Sequence, residues 1–211
     1  IADDNNHRIR KYDMITSEVT TVAGSSSGYE DNVGTLAKFK YPYDIKMHSG
    51  GNFALIADTN NHRIRQLTLA TGAVVTFVGD GVASDANGIG TSASLNRPIG
   101  ISISSDGSFA VVSVHHGHKV GKITISTREL SFLAGSSSGY QNGVGSNAKL
   151  SYPFFLALSP DDSYALIADH INHVIRRLNV SSGEVSTYCG STPGSAGNAI
   201  GVCDTQARFN Y

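Results

Sequence analysis

Short apolar runs alternate with polar turn clusters along the whole chain, at a length that favours β-strands over helices. Around the second quarter of the sequence, the runs predict strands at residues 43–48, 53–57, 62–69 and 73–78. Gly, Ser, Asn and Thr at 49–52 and 70–72 predict tight turns between them. We see no amphipathic helical period, so the pattern indicates an antiparallel meander of four strands.

The same pattern recurs through the chain. The segment IADDNNHRIR at 1–10 returns as IADTNNHRIR at 56–65 and as IADHINHVIR at 167–176, with a weaker copy, VSVHHGHKVG, at 112–121. Histidine and glycine keep the intervals of 55, 56 and 55 residues at His7, His62, His118 and His173, and at Gly24, Gly79, Gly135 and Gly190. A fixed period of this length predicts a repeat architecture.

One period, four strands followed by a polar loop, has the form of a β-propeller blade. Blades bury both sheet faces by stacking, which explains almost wholly apolar runs such as FALIA and YALIA. We therefore predict one all-β propeller domain over residues 1–211, with repeat copies at about 1–41, 42–97, 98–152 and 153–211. It holds three full blades and three strands of a fourth, and we expect it to be part of a larger propeller or repeat array.

The motif A-x-F-x-Y-P, an apolar strand, and then I-A-D-x-x-N-H-x-I-R resembles the NHL repeat. Residues 37–42 open one copy, 93–98 and 148–153 open two more, and 207–211 begins another. The resemblance implies a ring of about six blades, so we expect this stretch to belong to a longer chain. The register of residues 39–42 predicts a proline after Tyr211. In the third copy, Val114 replaces the aspartate and Gly121 the arginine, which predicts a bend that is built differently.

Composition narrows the possible functions. The 211 residues are 40% hydrophobic and 16% charged, with net charge −1 and a pI of about 6.8. This charge balance excludes nonspecific electrostatic binding to nucleic acid or to an anionic membrane, because both require an excess of basic residues. No apolar run approaches the roughly 18 residues that span a bilayer.

The two cysteines, Cys189 and Cys203, lie in a loop that is longer than its counterparts. A local disulfide would close that loop, and two buried free thiols are the alternative. The sequon at Asn179 falls in a predicted turn, where a glycan would project. Together these features predict a secreted or cell-surface protein.

The repeated histidines invite a metal interpretation, but each has the same place in its own copy. We predict that they pin the bend together with the nearby aspartates: His7, His62, His118, His173, Asp3, Asp58 and Asp169. Extra histidines at 115, 116 and 170 leave a transition-metal site as an alternative, and Asp31, Asp80 and Asp85 leave a weak calcium alternative. We predict no catalytic residue, cofactor or metal.

In such a meander the bends and the long inter-blade loops lie at one edge, and the short turns lie at the other. The loop-rich face therefore predicts a recognition surface, with candidate residues Tyr29, Asn32, Asp80, Asp85, Tyr140 and Asn142.

The sequence leaves three candidate functions. The sequence favours a non-enzymatic extracellular interaction or structural module that binds protein or glycan partners, or assembles with itself through its blade edges. The alternatives are a metal-dependent lyase or hydrolase-like enzyme, as in some NHL propellers, and RNA binding, which the neutral charge disfavours. We expect no direct membrane insertion.

Overall fold

A computed structural model describes residues 1–190, 196–197, 199–203 and 208–209. These residues form four antiparallel sheets, which we call the first to fourth blades. The first contains β1 (Ala2–Asp3), β2 (Arg8–Tyr12) and β3 (Val19–Ala23), and the second contains β4 (Asn32–Val33), β5 (Pro42–Met47), β6 (Phe53–Asp58), β7 (Arg63–Thr68) and β8 (Ala73–Val78). The third contains β9 (Gly88–Ile89), β10 (Pro98–Ile103), β11 (Phe109–Val114), β12 (Lys119–Thr124) and β13 (Glu129–Gly135). The fourth contains β14 (Gly143–Val144), β15 (Pro153–Leu158), β16 (Tyr164–Asp169), β17 (Val174–Asn179) and β18 (Glu184–Cys189).

The only helices among the described residues are short 3-10 turns. They are Asp4–Asn6, Gly34–Leu36, Thr59–Asn61, Gly90–Ser92, Gly145–Asn147 and His170–Asn172. The bend between β11 and β12 is a plain turn instead of a 3-10 helix, so the different construction predicted for the third copy is present. In the described part of the chain, none of these helices has the length or apolar content to cross a membrane.

The predicted all-β propeller architecture is confirmed. In the second blade β5, β6, β7 and β8 form the expected meander, and the four described sheets do not close into a ring. The prediction missed a fifth strand, because the loop composition suggested no regular structure. Asn32 and Val33 of the long loop pair with Val74 and Ala73, which adds a two-residue strand at the outer edge of the blade.

The blades stack through apolar clusters in which the long loops take part. The inner strands β5, β10 and β15 lie side by side. Between the second and third blades, Ala93 and Leu95 of the loop are fully buried beside Leu55 and Ile101. The A-x-F/L part of the repeat motif therefore consists of side chains that fill the space between neighbouring sheets.

The repeated glycine that ends each outer strand has a backbone role. Gly79 has φ of +111°, and a Cβ at that position would collide with the carbonyl oxygen of His62. Gly135 has the same left-handed geometry against His118. Glycine keeps the repeat period because only it combines this φ with so close an approach of two strands.

The two edges of the sheets differ. The bend face carries the bends after the second strand of each meander and the starts of the inner strands, as the hydrogen bond from the Asn60 amide to the Lys40 carbonyl (3.0 Å) shows. The turn face carries the short turns. The prediction that the long loops lie only at the bend face is wrong, because the Gly90 amide donates to the carbonyl of Arg128 in a turn of the opposite face. Each long loop therefore runs along the outer edge of a blade toward the turn face and then returns to the bend face.

Some predictions lie outside the described residues. These are the continuation beyond Tyr211 and most of the further repeat copy that begins at Ala207.

Candidate functional site

The repeated histidine links one blade to the next. His7, His62 and His118 all have a left-handed backbone, and their Nδ1 atoms accept hydrogen bonds from backbone amides 34 or 35 residues downstream. For His62 the donor is the Arg97 amide, at 3.2 Å. An amide can only donate, so each Nδ1 is unprotonated. The partner thus differs from the expected aspartate or asparagine of the same bend. His173 also has a left-handed backbone and directly precedes β17 in the fourth blade.

The bend itself is held by the aspartates. Asp58 is fully buried, and its carboxylate accepts from the Lys40 amide (2.7 Å), Asn61 Nδ2 (2.8 Å) and Arg65 Nη1 (2.7 Å). Burial raises the pKa of the Asp58 carboxyl, and the adjacent Arg65 charge opposes that rise. The cluster is structural, and its arginine was missed at the sequence level although it repeats seven residues after the aspartate.

The same cluster occurs in two other blades at different burial. Asp169 accepts from Asn172 and from the buried Arg176, both at 2.8 Å. In the first blade the Asp3 and Arg10 side chains are each 26% exposed, and the hydrogen bonds to Asn6 and Arg10 lower the pKa of Asp3.

Most of the predicted recognition residues contact their own scaffold. The Tyr29 hydroxyl lies 2.9 Å from Thr76 Oγ1 and its ring lies under the Arg63 guanidinium, while Tyr140 pairs with Thr187. Asn142 accepts from Arg176. These side chains lie on the outer rim of the blades rather than on free loop tips.

The remaining candidates also brace loops. Asn32 accepts from the Val33 amide, Asp80 accepts from Ser94 (2.7 Å), and Asp85 pairs with Lys119 at 3.3 Å. The loops therefore have less freedom to meet a partner than their composition suggested.

The third blade replaces the rim chemistry of the other blades as a set. Where the second blade has Arg65 and Thr76, the third has Gly121 and Phe132. The space beside Gly121 is filled by the side chains of Leu130 and Phe132. These exchanges compensate one another, so the loss of the buried ion pair has a packing explanation.

Another group of exchanges meets at the bend face between the third and fourth blades. Arg97 stands where the second and fourth blades have Tyr41 and Tyr152, and His115 and His116 stand where the second blade has Thr59 and Asn60. We call Arg97, His115, His116, Tyr152 and Phe154 the bend-face cluster.

The cluster is a compact group of rings beside one guanidinium. His115 lies 5.3 Å from His116, 5.1 Å from Tyr152 and 5.4 Å from Phe154, measured between ring centroids. Arg97 Nη1 donates to His116 Nε2 at 3.0 Å. His170 adjoins the cluster, 6.1 Å from His115. His116 is exposed, and the other four residues are partly buried.

Its imidazoles are held in the neutral form. Burial, with smaller contributions from the neighbouring imidazoles and Arg97, lowers the pKa of His115 to about 4, and the hydrogen bond to the Pro153 carbonyl opposes this shift. Burial and the Arg97 charge also lower the pKa of His116. His115 Nδ1 lies 3.2 Å from the Pro153 carbonyl oxygen and therefore donates, which leaves Nε2 without a proton in the neutral ring.

Sequence reasoning found the extra histidines but not Arg97, Tyr152 or Phe154. The signal available was departure from the repeat at positions that the bend brings together. Within the described residues, no three His, Cys, Asp or Glu side chains are grouped so that they would hold a metal ion.

A neighbouring cavity belongs to blade stacking. It has a volume of about 450 Å³ and is lined by Phe154, His170, Val174 and Phe209, among others. The cavity lies beside His170. The residues equivalent to His170 in the second and third blades are Thr59 and His115, and each contacts the proline that begins the next inner strand. We therefore assign no ligand to it.

The structure joins Cys189 to Cys203 in a disulfide, and the Gly190 amide donates to the Cys203 carbonyl at 2.6 Å. Asn179 ends β17, and its side-chain oxygen accepts from the Ser181 amide at 3.0 Å. Glycosylation of this asparagine remains a prediction.

Comparison with known proteins places these repeats among relatives. No protein-family model matches the chain. It is 26% identical over 211 residues to the chloroplastic protein SUPPRESSOR OF QUENCHING 1 of Arabidopsis thaliana, covering 93% of this chain and 20% of that protein. It is 26% identical over 242 residues to NHL repeat-containing protein 2 of Bos taurus, covering 100% of this chain and 33% of that protein. The chain thus spans a third or less of the length of these relatives.

Solved structures share the fold at lower identity. An auxiliary nutrient binding protein from Bacteroides ovatus matches with a TM-score of 0.68 and 17% identity, over 95% of this chain and 51% of that one. Virginiamycin B lyase from Staphylococcus aureus matches with a TM-score of 0.60 and 16% identity, over 91% of this chain and 52% of that one. At this identity the likeness concerns the fold alone.

Proposed function

The chain is built from NHL-type β-propeller repeats, and from that premise we propose that it is a non-enzymatic binding module whose recognition surface is the bend-face cluster. The observation that carries the proposal is the meeting of Arg97, His115 and His116 at one junction. All three depart from the residues found at the same positions of the second blade.

A repeat scaffold makes such departures informative. Arg97 replaces a tyrosine that the second and fourth blades share at Tyr41 and Tyr152, whereas the positions of His115 and His116 vary among the copies. The rim exchanges of the third blade fill space. The three changes in the cluster neither fill a void nor complete a buried ion pair. They gather a guanidinium, two imidazoles and two aromatic rings at the bend face, with His116 exposed to a partner.

The chemistry of this surface suits a protein or glycan partner. Arginine and tyrosine are enriched where proteins bind partners, because they combine contact area with directional hydrogen bonds. The propeller supplies a rigid base, since the His118 Nδ1 atom accepts from the Tyr152 amide at 3.2 Å and ties the two blades together. A nucleic-acid partner is disfavoured by the net charge of −1.

We further propose that the protein works in an oxidising compartment outside the cell. The disulfide between Cys189 and Cys203 supports this. The chloroplastic relative carries a different location in its name, so the proposal rests on the disulfide.

The experiment is a comparison of the wild-type chain with a triple variant that restores the second-blade residues, R97Y/H115T/H116N. Both are applied to the same glycan array and the same panel of recombinant extracellular protein domains, and Lys11→Gln in the first blade serves as a charge control. Circular dichroism and melting temperature first establish that all three are equally folded.

We expect ligands that bind the wild type and Lys11→Gln but not the triple variant. Ligands retained equally by the triple variant would place recognition elsewhere and refute the proposal. A reaction product released from a ligand on incubation with the wild-type chain would refute its non-enzymatic part.

A further inference from the structure

We infer that the bend-face cluster binds a ligand through an oxyanion, a carboxylate, phosphate or sulfate group, which Arg97 and His116 hold while Tyr152 and Phe154 contact the body of the ligand. This inference rests on the proposed binding function and names the class of ligand.

Arg97 lies outside the repeat motif, at a position where the second and fourth blades have tyrosine. The motif arginines meet carboxylates: Arg65 donates to Asp58 and Arg176 to Asp169. Arg97 has no carboxylate within ion-pair distance among the described residues. The side-chain partner of its guanidinium there is the His116 ring, and its Nε is buried without an acceptor, as are those of Arg65 and Arg176.

The groups around the two imidazoles are basic. Those that act electrostatically on His116 are Arg97, His118 and His62, and those that act on His115 are Arg97, His116 and His170. Because the imidazoles are neutral, the standing charge of the cluster is that of Arg97, which would repel a metal cation and attract an anion.

The shape of the Arg97 guanidinium also suits an oxyanion. A guanidinium offers its donors in a planar fork that matches two oxygens of a carboxylate or phosphate. One arm of Arg97 is held by His116, which fixes the orientation of the fork. Because Nε2 accepts from Arg97, the neutral His116 ring carries its proton on Nδ1, and that N–H is the second donor that it can offer to an oxyanion.

The aromatic rings of the cluster indicate the chemistry of the rest of the ligand. The Tyr152 ring lies between those of His116 and His118, at centroid distances of 5.4 and 4.5 Å, and both contacts are edge-on. Phe154 contacts His115 edge-on, at a centroid distance of 5.4 Å. A flat apolar group attached to the oxyanion would meet aromatic rings on this side, which favours a ligand larger than a free inorganic ion.

The test is isothermal titration of the folded chain with four probes: benzoate, acetate, inorganic phosphate and benzyl alcohol. We expect benzoate to bind more tightly than acetate because of its ring, and more tightly than benzyl alcohol because of its charge. A phosphate affinity above that of acetate would indicate a phosphate or sulfate ester as the ligand, and the reverse order a carboxylate.

Two variants test whether the cluster side chains bind the oxyanion. Arg97→Tyr restores the residue of the neighbouring blades, which have the same positive φ, and we expect it to lower benzoate affinity by about tenfold or more, the loss of a charged hydrogen bond. His116→Asn is the second variant, with an expected loss in the same direction. Lys11→Gln removes one positive charge far from the cluster and should leave the affinity unchanged.

Equal benzoate binding by the wild type and Arg97→Tyr would overturn the inference, as would a benzyl alcohol affinity equal to that of benzoate. If benzyl alcohol binds and is lost in H115T while the anions do not bind, the oxyanion inference is wrong but the binding surface stands. If none of the four probes binds, the inference is overturned, and the array experiment then decides the proposed function separately.

Discussion

The buried aspartate of the second blade gives a sharp prediction, because the chain contains its own control. Changing Asp58 to alanine removes three hydrogen bonds, from the Lys40 amide, Asn61 and Arg65. Arg65 is fully buried and keeps Asp31 as its remaining carboxylate partner. Breaking one side of such a pair costs about 3 to 5 kcal/mol, a large part of the stability of a domain.

The control is Asp3→Ala, which removes the same motif contact in the first blade. Asp3 and Arg10 are each 26% exposed, so water replaces much of what the pair loses. We expect a cost of about 0 to 1 kcal/mol, as for other surface ion pairs. Asp3 and Asp58 occupy the same position of the repeat motif, and the two sites differ in burial.

The assay is urea unfolding of the wild type and both variants, followed by circular dichroism. Hydrogen exchange at the Lys40 amide would locate the effect in the second blade. The double variant D58A/R65M should lose less than D58A, because it removes a buried guanidinium that has lost one of its two carboxylate partners. Equal losses for D58A and D3A, or a loss below about 1 kcal/mol for D58A, would refute the reasoning that burial sets the value of this motif.

Three further predictions concern single groups. His62→Ala should cost about 1 to 3 kcal/mol in urea unfolding, because the Arg97 amide loses its acceptor, and a stoichiometric metal ion lost by this variant would contradict the assignment. His115 should titrate near pH 4 by NMR; since its pKa is lowered on folding, its contribution to stability is present above its unfolded pKa of about 6.5 and is lost as the pH falls toward 4, whereas titration near 6.5 would contradict its burial. Non-reducing peptide mapping of the native protein should recover Cys189 and Cys203 as one linked pair, and recovery of free thiols would remove the main support for an extracellular location.

Much of the fold follows from local patterns in the sequence. The fourth strand of the meander, predicted at 73–78, is observed as Ala73–Val78, because the turn glycine before it and the glycine after it mark both ends. The two-residue strand β4 was not predictable from its own residues. Asn32 and Val33 adopt it because Val74 and Ala73 offer an unpaired edge, which is a tertiary effect.

The site was less accessible to sequence reasoning. His115 and His116 stood out as an extra pair, but Arg97 lies before a different strand. Backbone hydrogen bonds from the His115 amide to Arg97 (3.0 Å) and from the His116 amide to Asn96 (3.2 Å) bring the two segments together. The exposed tyrosines were assigned to recognition because loops often carry it. In the structure Tyr29 covers Arg63, so a residue type that suits an interface serves the rim instead.

A crystal structure of the chain soaked with benzoate tests the central claim most directly. The account predicts the carboxylate within hydrogen-bond distance of the Arg97 guanidinium and of His116, with the ring against Tyr152 and Phe154. Benzoate bound away from the bend-face cluster, or an Arg97 guanidinium paired with a carboxylate of the protein itself, would contradict it.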